Sequence, residues 1–185
     1  MSDSPTKSFA ATVLTFRDIV LLRRGPEDLP ASWALLLLTI AGQVVVALLI
    51  GAVLPPLPAK AATPDHSLAM LLIDLLVMLL WGWGILRMAE KPERYLQMMT
   101  AIFGCQLVLQ PLVAPAAWAV GFYGTESPWS LPAAVLGVWA LVVLARVLRA
   151  ATEWAMFSCV FLVFGQVVLT YLVAIAVFPD FLKPP

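Results

Sequence analysis

The fold class this sequence predicts is all-α: an integral membrane bundle of five transmembrane helices, preceded by a short amphipathic helix lying at the interface. Three observations predict it. The 185 residues are 62% hydrophobic and 12% charged, about half the charged share of a soluble domain, and mean hydropathy is +0.96. The apolar residues gather into five long runs joined by short polar segments. Basic residues collect in alternate joining segments, the pattern left when arginine and lysine stay on the side of the membrane where the chain is made.

Residues 1–32 form the N-terminal region. Met1 to Lys7 is a polar tail without the basic-then-apolar build of a signal peptide. From Phe9 to Arg24, Phe9, Val13, Phe16 and Val20 share one helical stripe while Arg17, Asp18 and Arg24 lie off it. This favours a helix lying on the interface over one packed against the bundle. Gly25-Pro26 ends that helix, and Pro30 followed by Ser32 starts the next.

Residues 33–178 hold the spans, at 33–54, 68–88, 96–121, 129–148 and 154–178, and 179–185 is a tail. Lipid offers backbone amides no partner, so such runs must satisfy them internally as helices. Leu68 to Met88, 21 residues, reaches roughly 31 Å at 1.5 Å per residue, about the thickness of bilayer hydrocarbon. In the first span Ala47 and Gly51 are a small-xxx-small pair that admits a close neighbour. The Pro- and Ala-rich segment after it is expected to be extended and irregular, and the span itself is too long and too far from the N-terminus for the apolar core of a cleaved leader. Pro111 and Pro115 are expected to kink or open the third span. Gly82 and Gly84 allow a close crossing, and Trp33, Trp81, Trp83, Tyr95 and Trp154 mark one membrane boundary, with Trp118, Phe122, Tyr123 and Trp129 at the other.

With the N-terminus in the cytoplasm, Lys7, Arg17, Arg23, Arg24, Arg87, Lys91, Arg94, Arg146 and Arg149 all fall inside, leaving Lys60 and Lys183 outside. An odd number of spans then puts the C-terminus on the opposite face. The basic residues form a surface able to meet anionic lipid or an acidic partner. Basic and acidic residues number eleven each, so no global field points to nucleic acid.

Chemistry-bearing residues are few. Asp74 lies roughly 9 Å into the second span at 1.5 Å per residue, level with Thr170 and Tyr171 counted from the matching end of the fifth, so either hydroxyl can bond it. It reads as a structural polar contact, a proton or cation site, or a subunit interface. Gln43, Gln106, Gln110 and Gln166 fall near mid-depth and are expected to hydrogen-bond between helices; a polar path along the third span is the sharper alternative. No catalytic motif is present; the single histidine, His66, sits in a loop beside Asp65, and Cys105 and Cys159 lack metal spacing. No enzyme activity and no cofactor are expected.

The stretch GPEDLPAS before the first span, and Thr100-Ala101-Ile102-Phe103-Gly104 followed by Pro111-Leu112 in the third, resemble the short bacterial members of the Yip1 domain family. The resemblance implies a non-enzymatic multi-pass protein of the bacterial inner membrane, with the C-terminus therefore periplasmic, that acts through other membrane proteins. The alternatives are a small transporter or channel subunit using Asp74 and the glutamines, and an accessory subunit of a larger membrane complex; a homo-oligomer fits any of these.

Overall fold

The computed structural model describes residues 5–55, 57 and 67–178. Asp65, His66, Lys60, Lys183 and the tail 179–185 lie outside the described residues. Among those described, all regular structure is helical: α1 (Pro5–Val20), α2 (Trp33–Val53), α3 (Ser67–Met88), α4 (Tyr95–Tyr123), α5 (Ser130–Thr152) and α6 (Met156–Val177). Five of these are long and apolar enough to cross a membrane, and the chain is a multi-pass membrane protein.

Helix ends follow local chemistry. The Ser32 hydroxyl accepts from the Leu35 amide at 3.4 Å, capping α2. After α3, Glu90 turns left-handed at φ 58 and the Lys91 amide reaches back to the Leu86 carbonyl at 2.9 Å, a Schellman-type ending that reverses the chain without glycine. Gly124, at φ 87, ends α4, and Glu153, at φ 62, ends α5. The fourth span thus runs to Thr152, four residues beyond the apolar run, with Arg146 and Arg149 exposed on its last turns. The third runs unbroken through Pro111 and Pro115, so the expected opening does not interrupt its helix.

Helices α3, α4, α5 and α6 form a ring, each packed on the next, and α2 packs on the outside of α4. Small residues set the spacing. A Cβ on Gly82 would sit 2.6 Å from the Met99 sulfur, so α3 and α4 approach there as closely as glycine permits, whereas Gly84 has open space. Met98, Met99, Ala101, Cys105, Val143, Ala145 and Cys159 have no exposed surface, and both cysteines are free. Trp81 does not serve as a boundary anchor: its indole N–H donates to the Leu162 carbonyl at 3.1 Å, joining α3 to α6. Trp118 does sit at a helix end, donating to the Pro55 carbonyl at 2.7 Å and stacking on Phe122 at 5.0 Å.

The N-terminal helix is present, and it is packed against the bundle along one side. Thr15, Phe16, Ile19 and Val20 are buried, and the Phe16 ring lies directly on Gly104, where any Cβ would overlap it. Val13 and Leu14 remain exposed. A phenylalanine seated in a glycine notch gains dispersion contact that a helix resting only on headgroups lacks.

Gly104→Ala is expected to lower stability in detergent by about 1–3 kcal/mol through overpacking. In a Phe16→Ala background the same change should cost close to nothing, because the clashing ring is gone. Thermal unfolding of the four proteins in the cycle measures the coupling.

Candidate intramembrane polar site

Helices α3 and α6 cross in opposite senses, so residues seven positions from their adjoining ends share a level. Asp74 Oδ1 accepts from the Thr170 hydroxyl at 3.3 Å and from the Gln166 side-chain amide at 3.5 Å, both at the long end of hydrogen-bond range. Thr170 and Gln166 are buried on one face of α6, four residues apart, while Tyr171 is 63% exposed and faces away. Of the two candidate hydroxyls, only the threonine reaches the acid. A cavity of about 30 Å³, room for a single water, lies at the centre of the ring beside Gln166, lined by Met78, Trp81, Met98 and Leu144 among others.

The other three glutamines do not form the interhelical bonds expected of them. Gly42 faces Leu107 closely enough that a Cβ would sit 3.1 Å from its side chain, so Gln43 and Gln106 lie at one level of the α2–α4 contact, with Gln110 a turn further. Yet Oε1 of Gln43, of Gln106 and of Gln110 has no partner among the described residues, nor does the buried Thr100 hydroxyl. Close backbone approach at Gly42 presses leucine between the helices and leaves the amides flanking the contact, where each buried acceptor goes unpaired at a cost of roughly 1–3 kcal/mol unless water supplies a donor. Only Gln166 of the four finds a side-chain partner, and it is the aspartate. Among the described residues no group of histidine, cysteine or carboxylate side chains is arranged to hold a metal.

Apart from Glu126 in the α4–α5 turn, the charged side chains described outside Asp74 gather at the end of the bundle opposite it. Glu153, in the turn between α5 and α6, binds Lys91, and Arg94 at 2.9 Å. Arg94 also donates to the Ala150 carbonyl at 3.1 Å, at the C-terminus of α5 where carbonyls lack helical partners. Gln97 donates to the Leu29 carbonyl at 2.9 Å, fixing the α1–α2 connection on α4. Arg17 pairs with Asp18 at 2.9 Å, and Arg24 with Asp18 at 3.6 Å; Arg87 lies over the Trp83 ring at 5.2 Å. Arg23, Arg146 and Arg149 pair with no carboxylate among the described residues.

Glu153 and Gln97 carry no role in the sequence reading, and Trp81 figures there only as a boundary marker. Glu153 had one available signal, an acid at the same membrane end as two basic turns; the others bond backbone carbonyls, which no side-chain pattern announces. No family model matches this chain, and neither the curated proteins nor the solved structures compared with it give a match.

Thr170→Val, which keeps shape and removes the donor, is expected to loosen α3 from α6 by about 1 kcal/mol, read as a lower unfolding temperature; the same change in an Asp74→Ala background should have a smaller effect. Hydrogen bonds from Lys91 and then Arg94 hold the Glu153 carboxyl below its ordinary 4.5. Its contribution is therefore complete above that pH and fades as pH falls through the lower folded value. Stability measured down an acid series should show a small loss in this window, smaller again at high salt because the group is exposed, and absent in Glu153→Gln.

Proposed function

We propose that this chain is a non-enzymatic organising or accessory protein of the bacterial inner membrane, of the kind the Yip1 domain resemblance implies, working through lateral contact with other membrane proteins. The observation that carries this reading is the situation of α2. Its principal neighbour is α4, and Leu37, Leu48, Leu49 and Val53 are exposed along the remainder. Gly51 is exposed as well, and an added Cβ there meets nothing within 4 Å, so the glycine of the small-xxx-small pair has no helix against it among the described residues. In lipid, where burial of apolar surface gives no drive for helices to associate, small residues gain their value by letting backbones approach. A helix from a partner, or from a second copy, fits that vacancy. Placement of the N-terminus in the cytoplasm is supported by the basic residues of the 17–24, 87–94 and 146–149 segments.

A photo-crosslinking residue at Leu48 in native membranes is expected to give one protein adduct of defined size, and the same residue at Leu172 on α6 none. Lipid adducts alone at both positions contradict the proposal.

A transporter or channel role is the second reading, favoured by the aspartate and the unpaired amide oxygens lying within the spans. The two readings separate in liposomes holding the purified chain. An accessory protein gives no ion flux above empty vesicles with or without Asp74→Asn, whereas a transporter gives flux that this substitution abolishes.

A further inference from the structure

A cavity of about 830 Å³ opens at the basic end, between the segment following α1 and the last turns of α5. Arg23, Arg24, Arg146 and Arg149 line it, all exposed, above buried Ile19, Val143 and Val147. The acids that face it are Glu27, Asp28 and Glu153. Glu153 is already engaged by Lys91 and Arg94, and Arg24 by Asp18. That leaves Arg23, Arg146 and Arg149 against Glu27 and Asp28, none of them in an ion pair among the described residues. One positive charge is in excess, and the single negative charge of a phosphodiester neutralises it.

The cavity also has an apolar extension. Leu131, Val135, Val138, Val142, Arg146 and Arg149 follow at intervals of three and four, so they share one stripe of α5. Leu131, Val135 and Val138 are exposed, at 73%, 60% and 61%, and Val142 lines the cavity itself. Val135 to Arg146 covers roughly 16 Å at 1.5 Å per residue, about one leaflet of a bilayer whose hydrocarbon is about 30 Å thick. An aliphatic track of leaflet length that ends in a cluster of unpaired guanidinium groups has the two halves of a phospholipid.

We propose that this cavity binds one anionic phospholipid, its phosphodiester held by Arg23, Arg146 and Arg149 through charge-assisted hydrogen bonds and an acyl chain laid along Val142, Val138 and Val135. The site needs no protein partner, so it stands or falls separately from the organising role, using purified chain alone.

Native mass spectrometry of the full chain, released from micelles containing equal amounts of phosphatidylglycerol and phosphatidylcholine, tests it. One phosphatidylglycerol per chain should be retained in preference to phosphatidylcholine, and an excess of inorganic phosphate should not displace it. The double variant Arg146→Gln/Arg149→Gln should lower phosphatidylglycerol affinity roughly tenfold or more, while Arg17→Gln, outside the cavity, leaves it unchanged. Equal retention of both lipids, or undiminished binding in the folded double variant, overturns the proposal; displacement by inorganic phosphate shows a phosphate site without the lipid and overturns it equally. If the double variant does not fold, a photo-crosslinker at Val138 in the otherwise unaltered chain decides: a phosphatidylglycerol adduct supports the site, and adducts matching bulk lipid composition refute it.

Discussion

The structure depends on a single helix being covered. In the membrane core apolar surface is at no disadvantage, so a bundle holds together through close contact and through bonds that lipid cannot supply. Helix α4 concentrates both. Of its most apolar stretch 44% is buried, against 17–22% for the other spans, and every other helix except α6 meets it substantially. The run Met98 to Cys105 is small or pliable throughout, apart from Phe103 and Ile102. Glycine at 104 receives Phe16 from one side, and methionines at 98 and 99 fill the space at Gly82 on another. Methionine suits that place because its unbranched chain fills irregular gaps.

Polar groups are then distributed by depth. At mid-membrane and towards the far end, single side chains bond one helix to another: Trp81 to the Leu162 carbonyl, Thr170 and Gln166 to Asp74. At the basic end the contacts are ionic, and Glu153 ties the α3–α4 turn to the α5–α6 turn through Lys91 and Arg94. The arginines not used in this way, at 23, 146 and 149, surround the groove beside α5. Charge at this end therefore has two employments, one closing the bundle and the other facing outward.

Hydropathy and length made the five spans legible, because the bilayer imposes one thickness on every crossing. Counting residues inward from helix ends also brought Thr170 level with Asp74, since two straight helices of opposite sense keep register. What stayed hidden depends on rotation about the helix axis. Thr170 and Tyr171 have the same depth, and only the packing of α6 decides which turns inward. The glutamines at 43 and 106 were level yet unbonded, because the glycine at 42 brings Leu107 between the helices. The docking of Phe16 on Gly104 joins segments far apart in sequence, and the amphipathic stripe of α1 is the same whether it faces lipid headgroups or a neighbouring helix.

Helix α4 runs between a charged end, shared with the α1–α2 connection and the α5–α6 turn, and an aromatic end that carries the α4–α5 turn. Single cysteines at Asp28, Lys91, Glu153 and Glu126, in a chain whose Cys105 and Cys159 are replaced by alanine, test it with a membrane-impermeant thiol reagent applied to intact and to opened cells. The first three positions are expected to label together and only after opening, with Glu126 labelled in intact cells. Labelling of Glu126 with the other three, or a split among those three, would contradict this arrangement.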